Sequence, residues 1–266
     1  MMKNRIITGV TFGALWLLVL LLGSFKFFWF MILVIACMAL YEFFTIALPN
    51  STSQRPAFLI LALLPIIGVF NGQAGQMQAA FMLALFLSTA LVLIIYSDQV
   101  NDFTELAKII SGITLISLTA AHLVLLMSAA SGRQWLILLT LITTASDTGA
   151  YFTGTLLGRH KLCPAISPGK TWEGLAGGLI AAVIVTIIAA PFIFPDSSIL
   201  KLILVSLLLS IIGVGGDMTE SIFKRSHKVK DSGAVLPGHG GILDRVDSIL
   251  AAAPVLYYAI KLGIVQ

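Results

Sequence analysis

Long apolar stretches recur along the whole of this 266-residue sequence, and they constrain its fold more than any other feature. Hydrophobic residues make up 58% of the chain and charged residues 11%, whereas an ordinary soluble domain is about 25% charged. A helix needs about 20 apolar residues to cross a bilayer. Such stretches lie at about 6–23, 27–48, 57–70, 77–96, 106–129, 134–157, 175–194, 199–216 and 249–262. The sequence therefore predicts an all-α, polytopic integral membrane protein with about nine transmembrane helices.

The number of spans and the orientation depend on each other. The third and ninth stretches are short, at 14 residues each, so eight spans or a re-entrant segment are alternatives. Lys and Arg in short loops stay on the cytoplasmic side of a membrane. With nine spans and a cytoplasmic N-terminus, twelve of the 16 cationic residues fall on the cytoplasmic face. This distribution supports both the nine spans and a cytoplasmic N-terminus.

The chain divides into two unequal halves. Residues 1–130 carry scattered charges without a reactive cluster, and we expect them to form a scaffold of transmembrane helices. Residues 131–266 are predicted to be the catalytic transmembrane region, with cytoplasmic loops at 158–174 and 217–248. The sequence contains no internal repeat, which argues against a transporter built from inverted halves.

Two pairs of carboxylates flank the last polar segment. If the flanking helices continue through these residues, Asp217 and Glu220 share one helix face at a spacing of three residues, and Asp244 and Asp247 do the same. Acids at a membrane boundary are costly unless they are paired or bind metal, and hard oxygen ligands suit Mg²⁺. The pattern predicts a Mg²⁺ site, and ion pairs with nearby cations such as Arg225 are the alternative.

A basic, glycine-rich stretch lies between these acidic pairs. Lys224, Arg225 and Lys230 precede a turn-rich segment at 231–241 that contains His239. Cations and exposed backbone amides bind phosphate oxygens. The stretch predicts a phosphate site, although contact with anionic lipid head groups would produce the same composition.

An earlier polar segment adds further candidates. Asp147 lies inside an apolar stretch, which favours a functional role over a hydrogen bond between helices. Gly169, Lys170 and Thr171 look like the end of a P-loop, but Pro164 replaces the first glycine of that motif. We therefore expect Lys170 to contact phosphate without a P-loop fold.

Residues 221–247 closely resemble the signature of phosphatidate cytidylyltransferases, without a departure, and residues 146–178 are similar to a second motif of that family. The resemblance implies that phosphatidate attacks the α-phosphorus of CTP, giving CDP-diacylglycerol and pyrophosphate, with Mg²⁺ bound by Asp217 and Asp244. Whether a second metal or a monovalent cation also binds is left open. The resemblance also implies a homodimer without a nucleic-acid partner. In this interpretation the catalytic residues are Asp217, Asp244, Lys170, Lys224, Arg225, Lys230, Asp247 and His239, and the substrate-binding residues are Asp147, Ser167, Glu173, Glu220, Ser221 and Arg245.

Two other functions compete with this interpretation. An ion-coupled transporter also contains acids within helices, but it would spread them across the bilayer midplane rather than gather them at one face. A CTP-dependent lipid kinase would transfer the γ-phosphate and release CDP instead of pyrophosphate. We expect a bacterial inner-membrane enzyme with its active site on the cytoplasmic side.

Overall fold

The computed structural model describes residues 2–95, 102–233 and 240–265, and these residues are mostly helical. The chain divides into two compact units, which are described separately below. The first unit comprises Met1–Ala129 and Lys230–Arg245, and the second comprises Ala130–Val229 and Val246–Gln266.

The helices of the first unit begin and end at local signals. Ser24 accepts a hydrogen bond from the Phe27 amide (3.3 Å) and so caps a helix at its N-terminus. A shorter apolar segment is split at Leu63, just before Pro65, because proline cannot donate the hydrogen bond that a continuous helix needs. The helices are α1 (Met2–Leu22), α2 (Phe25–Ala47), α3 (Arg55–Ala62), α4 (Leu64–Gly68), α5 (Ala74–Ile94), α6 (Asp102–Gly112) and α7 (Thr119–Ser128).

A π-helical segment, Ile113–Leu118, joins α6 to α7. The resulting apolar helix passes close to α2, since a Cβ atom at Gly112 would lie 3.0 Å from the Phe44 ring. Large side chains of the unit, including Phe28, Phe44 and Phe58, are fully buried. Their burial provides the apolar core of the first unit.

The second unit contains four helices in the described part of the chain. They are α8 (Gly132–Leu157), α9 (Trp172–Ile193), α10 (Ile199–Ser226) and α11 (Leu243–Lys261), whose first residues belong to the first unit. α8 and α9 pack closely through small residues. A Cβ atom at Gly149 would lie 2.6 Å from the Ala181 methyl, so this approach requires glycine.

A short β-hairpin connects α8 to α9, where the all-α prediction had placed a cytoplasmic loop. β1 (Lys161–Cys163) and β2 (Ser167–Thr171) pair in an antiparallel sheet. Thr171 then caps α9, because its side chain accepts a hydrogen bond from the Gly174 amide (3.0 Å). The all-α prediction was wrong in this segment because strands of three and five residues are too short to produce a clear period of two.

Five helical segments of the described residues are long and apolar enough to cross a membrane: Phe25–Ala47, Ala74–Ile94, Phe103–Ser128, Trp172–Ile193 and Ile199–Ser226. Large apolar side chains on these segments are exposed, as Phe192 illustrates at 87% exposure. Lipid contact explains this exposure. The chain is therefore a multi-pass membrane protein. The number of nine spans and the cytoplasmic N-terminus stay predictions.

Candidate active site

Three carboxylates of the second unit converge at one point. α10 continues through Asp217 and Glu220, which therefore lie on one face of it, and Asp247 comes from the beginning of α11. One oxygen atom from each of these three residues lies within 4.8 Å of the others. We call these three residues the acidic cluster. Three carboxylates at this separation repel one another unless cations lie among them.

Close packing of α10 on α11 brings the acidic cluster together. A Cβ atom at Gly216 would lie 2.5 Å from the Ala251 methyl and 2.9 Å from the Asp247 carbonyl oxygen. Only glycine permits this separation of the two helices. Since Gly216 directly precedes Asp217, the same close approach sets Asp217 beside Asp247.

Two lysines contact the acidic cluster. The Lys170 ammonium lies 2.8 Å from the Asp217 carboxylate, and the Lys224 ammonium lies 2.7 Å from that of Glu220. The Ser221 hydroxyl also lies 3.4 Å from an Asp217 oxygen. Three clustered carboxylates with hard oxygen atoms fit a divalent cation such as Mg²⁺, and the adjacent lysines fit the phosphates such a cation binds.

A pocket of about 380 Å³ lies beside Asp217. It is bounded by α8, the hairpin, α9 and α10, and four predicted site residues line it: Asp147, Ser167, Lys170 and Asp217. Gly169 and Tyr151 also line it. The pocket therefore combines two carboxylates, a cation and glycine backbone, which suits a polar, phosphate-bearing substrate.

The hairpin sets the position of Lys170. The pairing of Lys161 with Thr171 places Lys170 on β2, from which its ammonium reaches Asp217. Glu173 holds the hairpin to the beginning of α9. Its carboxylate accepts hydrogen bonds from the backbone amides of Arg159 (3.1 Å) and His160 (3.2 Å), and it lies 2.6 Å from His160 Nδ1.

The remaining basic residues lie in different surroundings. Arg225 donates to the carbonyl oxygens of Ile166 and Val229 (both 3.3 Å), so it links the C-terminal end of α10 to the hairpin turn. Lys230 and Arg245 are exposed. His239 lies outside the described residues.

In the first unit, Asp244 contacts the described residues 231–233 and 240–242, which precede α11 and which we together call the turn. Its carboxylate accepts hydrogen bonds from the amides of Ser232 (3.1 Å) and Gly241 (3.0 Å). A buried acid that the sequence interpretation did not single out, Glu42 of α2, binds the same turn. An ionisable residue inside an apolar stretch is the signal that points to it.

Comparisons with known proteins show which family the chain belongs to. A family model described as the cytidylyltransferase family matches residues 3–263. The chain belongs to the cytidylyltransferase family. It is 36% identical over 258 residues to a phosphatidate cytidylyltransferase of Staphylococcus haemolyticus, covering 96% of this chain and 97% of that protein. It is also 34% identical over 270 residues to the phosphatidate cytidylyltransferase of Bacillus subtilis, covering 98% of each chain.

Membership of the cytidylyltransferase family extends over both units, because the matched residues include nearly the whole chain. The chain is therefore a nucleotidyltransferase embedded in a membrane, and the ion-coupled transporter is excluded as its primary function.

Proposed function

We propose that this chain transfers the cytidylyl group of CTP to phosphatidate, giving CDP-diacylglycerol and pyrophosphate for phospholipid synthesis. The names of its full-length relatives support this reaction. The observation that carries the proposal is the acidic cluster, with Lys170 bound to Asp217 at the edge of the pocket. Carboxylates, cations and glycine backbone are the groups that nucleotidyl transfer needs, because it proceeds by positioning and charge neutralisation.

The acidic cluster is the proposed site of a Mg²⁺ ion. Asp217, Glu220 and Asp247 offer oxygen ligands close enough together to hold it. The assignment of Asp244 as a second ligand beside Asp217 stays a prediction from the family resemblance. An ion held by these residues would supply positive charge to neutralise the charge that develops on the departing pyrophosphate.

Four basic residues, Lys170, Lys224, Arg225 and Lys230, are proposed to bind phosphates. Lys170 and Lys224 already contact carboxylates of the cluster, so either ammonium can turn towards a phosphate oxygen with little movement. Arg225 and Lys230 are assigned to the same role. The phosphate of phosphatidate is an anion near neutral pH, and therefore no strong general base is needed to activate it.

The pocket is the proposed place where the substrate phosphates meet the acidic cluster. Asp147 and Ser167 line it and are assigned to substrate binding. Glu173, Glu220, Ser221 and Arg245 are assigned to the same function, with Glu173 acting through the hairpin that it holds.

We place the reaction at the cytoplasmic side of a bacterial inner membrane. Nine transmembrane helices with a cytoplasmic N-terminus put twelve of the 16 cationic residues on that side, together with both polar segments. CTP then reaches the site from the cytosol, while the lipid arrives by diffusion within the bilayer. The enzyme is proposed to act as a homodimer.

A direct assay tests the proposed reaction. The purified protein is supplied with phosphatidate and CTP labelled at the α-phosphate, with and without Mg²⁺. We expect labelled lipid and pyrophosphate only with Mg²⁺, and loss of both products in Asp217→Asn and Asp244→Asn. The matched control is Asp196→Asn, which removes an exposed carboxylate outside the acidic cluster. Release of CDP together with unlabelled lipid would instead identify a CTP-dependent lipid kinase and contradict the proposal.

A further inference from the structure

Glu42 is a buried carboxylate whose contacts lie far away in the sequence. It belongs to α2, one of the membrane-spanning segments, and is only 3% exposed. Its oxygens accept hydrogen bonds from the Ser232 hydroxyl (3.0 Å) and from the amides of Ile242 (3.0 Å) and Leu243 (3.1 Å). Burying a carboxylate in an apolar span is costly unless its oxygens are hydrogen-bonded. These three contacts offset that cost.

Two glycines make the space for this carboxylate. A Cβ atom at Gly233 would lie 2.6 Å from Glu42 Oε1, and one at Gly241 would overlap both Glu42 Oε2 and the Ser232 hydroxyl. The backbone at both glycines therefore lies close to the Glu42 carboxylate. The Glu42 side chain ends in the space that the two glycines leave.

The contacts of Glu42 also fix the beginning of α11. The first amides of a helix have no partner within the helix, and a negative charge near them is stabilised by the helix dipole. Leu243 is the first residue of α11, and its amide is one of the donors to Glu42. Glu42 therefore caps a helix to which it is not adjacent in sequence.

Asp244 depends on the same backbone. Its carboxylate accepts from the amides of Ser232 and Gly241, and Glu42 accepts from the Ser232 hydroxyl and from Ile242, the residue after Gly241. Movement of either turn end would remove donors from both carboxylates at once. The orientation of Asp244 is therefore coupled to that of Glu42 through the turn.

We propose that Glu42 is a positioning residue, which holds both ends of the turn and the first residue of α11 so that the Asp244 carboxylate has one orientation. Its effect on catalysis rests on the proposed function, in which Asp244 binds Mg²⁺. Its effect on the turn is independent of the proposed function.

The test compares Glu42→Gln with Glu105→Gln in the full-length protein. Glu105 is a matched control, since it belongs to the same unit and accepts from the Ser51 hydroxyl (2.9 Å) away from the turn. Hydrogen–deuterium exchange without metal reports on the amides of Ile242 and Leu243, and an activity titration reports the Mg²⁺ dependence. We expect exchange to accelerate at least about tenfold and kcat to fall about 10²-fold in Glu42→Gln alone, because small misplacements of a reacting group are costly.

Each outcome of this comparison decides the proposal. Faster exchange with a lower kcat and a higher Mg²⁺ requirement supports the positioning role. Unchanged exchange overturns it, as does faster exchange with wild-type kinetics. If wild-type protein forms no labelled lipid, the proposed function fails, while the exchange measurement still decides whether Glu42 holds the turn.

Gly233→Ala alone covers the case in which Glu42→Gln does not fold, and a double-mutant cycle tests the contact where Glu42→Ala folds. The methyl of Gly233→Ala meets atoms of Glu42, so truncation in Glu42→Ala creates room for it. We expect Gly233→Ala to accelerate exchange on its own but to add less than about twofold in the Glu42→Ala background, since contacting residues are not additive. Additive effects would overturn the proposed contact.

Discussion

Glu42 and the acidic cluster show two ways in which this protein accommodates carboxylates. The described donors to Glu42 are backbone amides and a hydroxyl, so its charge is accommodated by neutral groups. The acidic cluster instead places three carboxylates within 4.8 Å of one another beside two lysines and a pocket. A buried acid alone therefore indicates a structural role as readily as a chemical one. Concentrated negative charge beside a pocket indicates a site for a cation and its phosphates.

The largest expected effect comes from removing one charge of the acidic cluster. We expect Asp217→Asn to lower kcat/KM by about 10³-fold, as loss of a group that neutralises transition-state charge does. Its melting temperature should be unchanged or higher, because repulsion within the cluster decreases. Activity and thermal unfolding are measured in the same detergent preparation. A stability loss without an activity loss would instead show that Asp217 has a structural role, as Glu42 does.

Lys170→Met is expected to have the second-largest effect. Loss of its ammonium removes the partner of Asp217 and a proposed phosphate contact, so kcat/KM should fall about 10²-fold. Lys161→Met is the control, because Lys161 is exposed on the other strand of the same hairpin. Steady-state kinetics in CTP and phosphatidate measure both variants. Equal kinetics in the two variants would show that Lys170 does not contribute to the site.

A variant at the contact between α10 and α11 tests whether the position of the acidic cluster matters as well as its charge. Gly216→Ala forces α10 away from α11, and we expect it to cost about 1–3 kcal/mol of stability and to reduce activity. Ala251→Gly in the same protein should restore part of both. Gly215→Ala is the matched control, because a Cβ atom there has open space around it. If both glycine variants behave alike, close packing does not position the acidic cluster.

The smallest expected effect concerns an acid outside the acidic cluster. His160→Ala removes the imidazole that contacts Glu173. The Glu173 carboxylate still accepts hydrogen bonds from the backbone amides of residues 159 and 160. We expect a stability change within about 0.5 kcal/mol, as for most surface substitutions, and nearly wild-type activity. Thermal unfolding measures the stability, and the lipid assay measures the activity. A large activity loss would show that His160 contributes to the reaction.

The sequence predicted the parts of the fold that depend on local patterns. The apolar stretch at 27–48 corresponds to α2, and the spacing of Asp217 and Glu220 placed them on one face of α10. The approach of Asp247 to them depends on packing at Gly216, which no local pattern reveals. Likewise, the donors to Glu42 lie 190 to 201 residues later in the chain, and Glu42 was not identified from the sequence, although its charge within an apolar stretch was an available signal.

The hairpin illustrates a second limit. Its strands contain Gly169 and Pro168, which are unfavourable in strands, and pairing of the two segments supplies what local propensity lacks. The sequence predicted that Lys170 binds phosphate but did not predict the ion pair that brings it to Asp217. The sequence therefore led to a prediction of which residues form the site, but it did not predict their tertiary partners.

Direct measurement of metal binding tests the central claim. Mn²⁺ shares the oxygen ligands of Mg²⁺ and reports its free concentration by electron paramagnetic resonance. We expect the wild-type protein to bind Mn²⁺ in competition with Mg²⁺, and Asp217→Asn and Asp247→Asn to bind it about 10- to 100-fold more weakly. Asp196→Asn should bind as the wild type does. Equal Mn²⁺ affinity in all four proteins would contradict the assignment of the acidic cluster as the metal site.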